Sequence, residues 1–369
     1  MRLSNGFEYI DSNAALAALC ERAATLPMLA LDTEFVREDT YFPKPALLQL
    51  NAGGDIYLID PLKIDQFAAF QALLADPGIA KVMHSCSEDM EVFNKLMGDY
   101  PANLFDTQIA AALCGHGFSL GYQKLVAQLL DEHLEKTETR SKWLQRPLTD
   151  RQCHYAVDDV RWLPHLYDIL QQQLHELSRK EWCSEECDRV LAQARQGIAD
   201  EDQYLRLRAA SRLSPEARGR LRALCAWREK LAREHNVPKG RIVSDATLLD
   251  IVERIPTSLR ELGSAAKIRQ SSVRRFGDSL LACLASTDCQ PLPGELPGVA
   301  ERGDKSRREL VRKMQAQTRD VAEAIGLPVE ILGKKRDLEQ FIEAREQSPI
   351  ANGWRAPLLA DKLDALCKC

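Results

Sequence analysis

The chain has 369 residues, of which 45% are hydrophobic and 28% are charged, and its formal net charge is −5. This length can provide two or three domains with buried cores, which excludes a small disulfide-stabilised peptide and a largely disordered chain. The N-terminal residues lack the apolar segment of a signal peptide, and no apolar run approaches the roughly 20 residues that cross a bilayer. We therefore expect a cytoplasmic protein that does not contact membranes.

The eleven cysteines are scattered along the chain, several of them in apolar contexts. This distribution is typical of reduced, mostly buried thiols in a reducing compartment. Neither Cys183 with Cys187 nor Cys367 with Cys369 has the spacing and the histidine partners of a structural zinc site, so we expect none.

The first half of the chain alternates between strand and helix patterns, as in an α/β domain. The break Asn51-Ala-Gly-Gly-Asp55 predicts an antiparallel hairpin between two of the strands. We predict a mixed sheet flanked by helices, with strands at 29–35, 46–51, 56–60 and 81–84 and helices at 65–75, 87–97, 108–114, 120–130 and 149–177.

Polar side chains in these elements have spacings that bring them onto shared faces. Asp32 and Glu34 are two residues apart in a predicted strand, so both point to one side of the sheet. Tyr155 and Asp159 are four residues apart in a predicted helix, so they are neighbours on its surface. Asp89 follows the last predicted strand, at the end of His84-Ser-Cys-Ser-Glu-Asp89. Four acids that met without a counterion would repel one another strongly, and divalent cations would remove that repulsion.

These residue types suit a particular chemistry. Carboxylate oxygens are ligands for Mg²⁺ or Mn²⁺, whereas zinc favours His and Cys. Two such ions about 3.5–4 Å apart activate a water and stabilise the leaving oxygen in phosphodiester cleavage. Because an ordinary tyrosine has a pKa of about 10, Tyr155 would be a poor base, and we expect its hydroxyl to orient the attacking water.

The order Asp-x-Glu, His-x-x-x-x-Asp, Tyr-x-x-x-Asp resembles the DEDD superfamily of 3′-5′ exonucleases in its tyrosine-containing branch. The surrounding sequence is similar to the bacterial ribonuclease D family over almost the whole chain. The resemblance implies a ribonuclease H-like fold for the α/β domain. The segments that carry it are Asp32-Thr-Glu-Phe-Val-Arg37, Tyr41-Phe-Pro43, Leu47-Leu-Gln-Leu50, Phe105-Asp-Thr-Gln108 and Trp143-Leu-Gln-Arg-Pro-Leu148.

The resemblance implies a role for each of the five residues. Asp32, Glu34 and Asp159 would bind the metal that activates water. Asp89 would help to hold a second metal, with Asp32 bridging both ions. Tyr155 would orient the nucleophile. The implied cofactors are two Mg²⁺ or Mn²⁺ ions.

Three further residues lie near these motifs. His84 stands where proofreading exonucleases have Asn, and we favour a local hydrogen bond over a catalytic part for it. Asp158 lies about 100° around the helix from Asp159, so we expect it to face solvent or to support the site indirectly. Asp106 begins a predicted helix and is more simply an N-cap.

The second half of the chain is predicted to be helical. Ser214 and Pro215 predict a helix start, and the unit that follows resembles the helicase and RNase D C-terminal (HRDC) domain, a nucleic-acid-binding module. A weaker, diverged second copy is expected near the C-terminus. The predicted organisation is an exonuclease domain at 1–178, a helical linker at 179–207, a first HRDC domain at 208–288, a Pro/Gly-rich linker at 289–304 and a second HRDC-like domain at 305–369.

Basic residues concentrate in the first predicted HRDC domain. Between Tyr204 and Arg241 there are eleven Lys or Arg and three acids, although the whole chain is acidic. Such a stripe is the electrostatic feature expected for phosphate contacts, although for any single arginine a solvated helix face is the better explanation. The candidate RNA-binding residues are Arg218, Arg220, Arg222, Arg228, Lys239 and Arg241.

The resemblance implies a 3′-5′ exoribonuclease that releases 5′-mononucleotides and trims the single-stranded 3′ ends of tRNA precursors and other small structured RNAs, acting as a monomer. Two alternatives stay open. A DNA-directed exonuclease would use the same carboxylates, since no residue here is identified as a reader of the 2′-hydroxyl. A non-catalytic RNA-binding scaffold is the other, although such a protein usually lacks one of the metal ligands.

Overall fold

The computed structural model describes residues 6–134, 141–264, 268–286, 289–292 and 305–368. The chain forms two compact units. The first contains Met1–Val36, Pro43–Arg195 and Lys305–Cys369, and the second contains Arg37–Phe42 and Gln196–Asp304.

The first unit is built on a six-stranded mixed sheet with the strand order β1-β4-β3-β2-β5-β6. β2 lies between an antiparallel neighbour, β3, and a parallel neighbour, β5. The predicted hairpin is confirmed, since β3 and β4 pair antiparallel across the Gly-Gly turn. Two three-residue strands at the edges escaped prediction because so short a segment shows no alternation. The strands are β1 (Glu8–Ile10), β2 (Met28–Val36), β3 (Lys44–Ala52), β4 (Asp55–Ile59), β5 (Ala80–Met83) and β6 (Leu104–Asp106).

Helices pack around this sheet, and one hydrophobic core joins them to it. They are α1 (Asn13–Ala23), α2 (Ala68–Ala75), α3 (Asp89–Met97), α4 (Thr107–Leu113), α5 (Tyr122–Leu130), α6 (Asp150–Arg161), α7 (Leu163–Glu176) and α8 (Lys180–Gln196). The first helix was not predicted. Helices α2 to α6 begin within a few residues of the predicted positions, and α8 begins where the helical linker was expected.

The single long helix predicted over 149–177 is wrong, because the structure divides it into α6 and α7 at Trp162. Pro164 occupies the first turn of α7. A proline cannot donate the backbone hydrogen bond that a continuous helix needs, and its ring clashes with the preceding turn, so a new helix begins there.

The C-terminal helices belong to the same compact unit as the sheet. The Arg355 guanidinium donates to both carboxylate oxygens of Glu186 on α8, at 2.5 and 3.0 Å, and also to the carbonyl of Ile331. The Trp354 ring stacks on Trp182 with 4.6 Å between centroids. These contacts join the C-terminal helices α14 (Lys305–Ala324), α15 (Val329–Leu332), α16 (Lys335–Glu343) and α17 (Asp361–Cys367) to α8.

Within its described residues the second unit contains helices and connecting loops but no strand, and it has its own hydrophobic core. Its longest helix begins at the predicted N-cap, where the Ser214 hydroxyl accepts from the N–H of Ala217. Tyr41, from the short segment Arg37–Phe42, donates its hydroxyl hydrogen to Glu229 at 2.5 Å. The helices are α9 (Pro215–Glu234), α10 (Lys239–Ile242), α11 (Asp245–Arg254), α12 (Leu259–Gly263) and α13 (Gln270–Ala285), preceded by 3₁₀ turns at Asp200–Arg206 and Arg208–Arg212.

Most of the predicted Pro/Gly-rich linker at 289–304 lies outside the described residues. Within the described residues, no helix combines the length and the apolar character that spanning a membrane requires.

Candidate metal centre and active site

The strand that carries the Asp-x-Glu pair, β2, has a neighbour on both sides. Asp32 and Glu34 share one face of this strand, as their spacing predicted, and Thr33 points to the opposite face. The pairing of β2 with β3 shifts by one residue between Glu34 and Phe35. Such a bulge bends a strand and re-aims its side chains, and it ends the regular pairing directly beside the two acids.

Three of the predicted ligands meet in space. One carboxylate oxygen from each of Asp32, Glu34 and Asp159 lies within 4.8 Å of the other two. Asp159 Oδ2 is buried and has no hydrogen-bond partner in the part of the chain that the structure describes. A buried unpaired carboxylate oxygen is unfavourable, and a hard cation with oxygen ligands satisfies it. The residues therefore fit a divalent metal ion.

The fourth acid, Asp89, is the first residue of α3 and is not one of this group of three. It is nevertheless close enough to raise the pKa values of both Asp32 and Glu34. The buried Thr33 hydroxyl donates a hydrogen bond to Asp89 Oδ1. Asp89 is thereby fixed beside the three-acid cluster by a residue of the same strand that carries Asp32.

Burial and mutual repulsion raise the pKa values of these acids. The pKa of Glu34 rises to about 9, through burial first and then through the charges of Asp159 and Asp89. The pKa of Asp32 lies well above its usual range, again mainly through burial. Burial and the neighbouring Asp158 likewise raise the pKa of Asp159. A cation that binds here must therefore displace protons.

The pH dependence of stability should change when a divalent cation is added. A carboxyl group with a raised pKa stabilises the folded protein fully below the unfolded pKa of about 4, and this contribution is lost as the pH rises through the folded pKa. For Glu34 the folded pKa is about 9. We expect the Tm of the chelated protein to fall from about pH 6 to about pH 9, and the Tm gain from saturating Mn²⁺ to grow over that range.

Thermal melts with EDTA or Mn²⁺ at a series of pH values measure this effect. Glu34→Gln is the control, because it removes the group with the raised pKa and should flatten the slope of the chelated protein. An equal Mn²⁺-dependent gain at both ends of the pH range would contradict the prediction.

Tyr155 is positioned by α6 and by a neighbouring tryptophan. The capping box of Thr149 and Gln152 fixes the start of the helix. The Tyr155 hydroxyl lies near Asp159, one turn further along, and each of the two groups affects the pKa of the other. The fully buried Trp143 lies with its ring 6.0 Å from the Tyr155 ring, centroid to centroid. Burial and the nearby acids raise the pKa of Tyr155, so the phenol keeps its proton at neutral pH.

Two of the three neighbouring residues make local contacts. Asp106 is confirmed as an N-cap, since Oδ1 accepts from the N–H of Gln108 at 2.8 Å. Asp158 pairs with Arg161 at 3.2 Å on a partly exposed surface.

His84 also has local partners on both ring nitrogens. Nδ1 lies 2.8 Å from the Thr107 hydroxyl, and Nε2 lies 3.1 Å from the carbonyl oxygen of Leu120. Burial lowers the pKa of His84. These contacts account for its place at the end of β5 without a catalytic part.

The predicted basic stripe is wrong for two of its members, because Arg218 and Arg228 are buried. Arg228 donates to the carbonyl of Val243 at 2.9 Å and pairs with Asp245 at 2.7 Å. Arg218 donates to the carbonyl of Leu292 at 3.3 Å. Both guanidinium groups bind partners inside the helical unit, so neither side chain is exposed to contact an RNA phosphate.

The other four candidates differ in their surroundings. Lys239 pairs at 3.0 Å with Glu229, and Arg220 donates to the carbonyl of Val252 at 3.0 Å. Arg222 is half-buried and Arg241 is exposed. Arg222 and Arg241 are therefore the two that best retain the predicted role.

Prediction from sequence missed the parts played by Thr33 and Trp143. Thr33 lies inside the Asp-x-Glu motif, but strand alternation places it on the other face, which concealed its bond to Asp89. Trp143 stands out in the sequence only as part of a family motif. Its contact with Tyr155 could not be predicted, because the loop that separates the two residues has no periodic pattern.

Known proteins share both parts of the chain. Residues 7–175 match the 3′-5′ exonuclease domain family, and residues 217–284 match the HRDC domain family. Ribonuclease D of Pseudomonas paraeruginosa is 36% identical over 96% of this chain and 96% of its own length. Ribonuclease D of Escherichia coli K12 is 34% identical over 98% of both chains. The crystal structure of Escherichia coli RNase D, described as an exoribonuclease involved in structured RNA processing, superposes with a TM-score of 0.90 at 32% identity, covering 98% of each chain.

A mixed sheet that presents clustered acids, together with a helix that carries Tyr155 and Asp159, defines a metal-dependent 3′-5′ exonuclease of the DEDD class. More narrowly, the chain belongs to the ribonuclease D family. It is a 3′-5′ exoribonuclease with an HRDC domain, and its substrate is RNA.

Proposed function

We propose that this exoribonuclease trims the 3′ trailers of tRNA precursors and other small structured RNAs, releasing 5′-mononucleotides by two-metal-ion hydrolysis. The observation that carries the proposal is the cluster of Asp32, Glu34 and Asp159 oxygens beside the Tyr155 hydroxyl. The relative whose description names structured RNA processing supports the choice of substrate. We also propose that the enzyme acts as a monomer in the cytoplasm, where such RNAs are made.

The proposed metal ligands divide into two overlapping sets. Asp32, Glu34 and Asp159 would hold one Mg²⁺ or Mn²⁺ ion, and Asp32 with Asp89 would hold the second. When bound, the ions would supply an activated water and stabilise the charge on the leaving oxygen. The Thr33 hydroxyl fixes the orientation of Asp89 by a hydrogen bond to Oδ1.

The protonated Tyr155 orients the attacking water in this scheme. Its hydroxyl lies near Asp159 and keeps its proton, and an oxygen lone pair would accept a hydrogen from the water. The site must admit one terminal nucleotide at a time, so a single-stranded 3′ end should be degraded and a paired stem should resist.

Tyr155→Phe should lower kcat about 100-fold, because one positioned hydrogen bond to the nucleophile is removed. KM should change little, because the metal ligands and the RNA contacts stay in place. The measurement is degradation of end-labelled RNA, with a DNA oligonucleotide of matched sequence alongside. Tyr167→Phe, on the next helix, is the control and should behave as the wild type. Faster cleavage of the DNA would favour the DNA-directed alternative, and an unaffected Tyr155→Phe variant would overturn the role of the phenol.

We propose that the C-terminal helices are a second, diverged HRDC-like domain. Helices α14 and α15 have the same lengths as α9 and α10 and stand 90 residues further along the chain. Each short helix follows a proline, Pro238 or Pro328. The third helices, α11 and α16, also begin 90 residues apart. This repeated spacing supports a duplicated helical module, with domain boundaries near those predicted.

We propose Arg222 and Arg241 as RNA contacts of the first HRDC domain. Replacing both with Gln should weaken RNA binding and lower the slope of log affinity against log salt by about one for each phosphate that the protein no longer neutralises. Arg254→Gln is the control, because Arg254 pairs with Asp250 at 2.6 Å on the neighbouring helix surface. Filter binding of a tRNA precursor over a range of salt concentrations measures the slope. An unchanged slope would remove these two residues from the RNA-binding surface.

A further inference from the structure

Gln49 lies in the middle of β3, directly opposite Asp32 of β2. Residues that face each other across an antiparallel pair point to the same side of the sheet, with Cβ atoms about 4.5–5.5 Å apart. Gln49 therefore lies beside Asp32 on the face of the sheet that carries the metal ligands. Its side chain is completely buried.

The Gln49 carboxamide has no partner in the part of the chain that the structure describes. Neither Nε2 nor Oε1 makes a hydrogen bond within the described residues. Most buried amides are paired, because an unpaired donor or acceptor loses its hydration without compensation. Two unpaired atoms on one side chain, next to an acid of the metal site, therefore need an explanation.

The next amide on the same face, that of Asn51, makes hydrogen bonds through both of its polar atoms, as is usual for an amide that supports the fold. Asn51 donates from Nδ2 to the carbonyl of Val160 on α6 at 3.2 Å. Its Oδ1 accepts from the N–H of Gly54 at 3.1 Å. Asn51 thus joins the sheet to α6 and closes the hairpin, whereas Gln49 does neither.

The surroundings of Gln49 would suit an apolar residue. Leu47, two residues before Gln49 and on the same face, is buried in the hydrophobic core, as are Leu48 and Leu50 on the opposite face. Local packing alone therefore gives no reason for a carboxamide at this position. Residues that conflict with local rules in this way concentrate at functional sites.

We propose that Gln49 is a positioning residue of the metal site, whose hydrogen bonds form when the hydrated ion binds. The inference rests on the proposed metal site. Mg²⁺ usually keeps several water ligands, and such waters need fixed hydrogen-bond acceptors around them. When the hydrated ion is bound, the Gln49 N–H groups would help to orient the ionised Asp32 carboxylate, and Oε1 would accept a hydrogen from water. Hydrogen bonds of this kind to metal ligands commonly affect metal affinity 10- to 100-fold.

The test compares Gln49→Met with Asn51→Leu in the full chain. Methionine keeps the length of the glutamine side chain and removes both polar atoms. We expect Gln49→Met to bind Mn²⁺ about tenfold more weakly by isothermal titration calorimetry. In EDTA its Tm should equal or exceed that of the wild type, because no protein hydrogen bond is broken. Asn51→Leu should lower the Tm in EDTA, because it breaks the hydrogen bonds of Asn51 to α6 and to Gly54.

Wild-type Mn²⁺ affinity in Gln49→Met would overturn the inference. A fall of its Tm in EDTA as large as that of Asn51→Leu would also overturn it, by showing that the amide serves the fold. Gln49→Leu gives the same comparison if the methionine variant does not fold. Asp32→Asn separates the two proposals: if the wild type binds no more Mn²⁺ than Asp32→Asn, the metal site itself is wrong. Tight binding by the wild type and by Gln49→Met, but not by Asp32→Asn, would refute the role of Gln49 alone.

Discussion

Replacing Asp32 with Asn should reduce the turnover of RNA by at least about 1000-fold. The acid lies on a strand with neighbours on both sides, and one of its oxygens lies within 4.8 Å of an oxygen of Glu34 and of an oxygen of Asp159. Losing this charge removes the residue proposed to hold both ions, and metal-ion catalysis contributes several kcal/mol to such reactions. RNA affinity should be largely retained in the absence of turnover, because the basic residues proposed to contact RNA are untouched.

Asp158→Asn is the matched control for this prediction. Asp158 immediately precedes Asp159 in the chain, but its carboxylate pairs with Arg161 rather than joining the acidic cluster. Single-turnover degradation of labelled RNA should therefore be within a few-fold of the wild type. An active Asp32→Asn variant would refute the proposed site, and an inactive Asp158→Asn variant would show that Asp158 and Asp159 had been assigned the wrong way round.

Arg355→Met should destabilise the first unit by about 3 kcal/mol, since it leaves a buried carboxylate and carbonyl groups without their donor. Arg355 and Glu186 are largely shielded from solvent, with side-chain exposures of 7% and 12%. Burial would raise the pKa of Glu186, but hydrogen bonds and charge from Arg355 lower it overall. The stabilisation from Glu186 is therefore present above its ordinary pKa of about 4 and is lost as the pH falls below it. Urea melts at pH 7 measure the main effect.

Two controls separate the loss of this ion pair from a general effect of substitution. Glu186→Leu combined with Arg355→Met should recover much of the lost stability, because an apolar pair of similar volume can replace a buried ion pair. Arg345→Met should have little effect, because Arg345 pairs with Asp364 on an exposed surface. Equal destabilisation by Arg345→Met, or unchanged stability in Arg355→Met, would contradict the view that Arg355 joins the C-terminal helices to α8.

The acidic site was largely predictable because its information is local. The two-residue spacing of Asp32 and Glu34 and the four-residue spacing of Tyr155 and Asp159 place each pair on one face, and the structure shows both arrangements. That Asp89 lies near them followed only from family resemblance, since its position depends on how β5 and α3 meet β2. The break at Trp162 was signalled by Pro164, but helical periodicity on both sides concealed it.

The burial of charged residues in the helical regions could not be predicted in this way. An arginine has a long apolar stem and can lie on an exposed or a buried helix face, so Arg218 and Arg228 looked like their exposed neighbours in sequence. Their carbonyl and carboxylate partners lie far along the chain. The contact of Arg355 with Glu186 spans 169 residues, and no local pattern reports it.

The raised pKa values of the acids also affect how this enzyme would respond to laboratory evolution. Without metal, Asp32, Glu34 and Asp159 disfavour the folded state at neutral pH, so neutral replacements there should raise the melting temperature. A screen for heat resistance in chelating buffer would therefore enrich inactive proteins. Screening in the presence of Mn²⁺ should reverse that bias, because the ion then stabilises variants that keep all of its ligands.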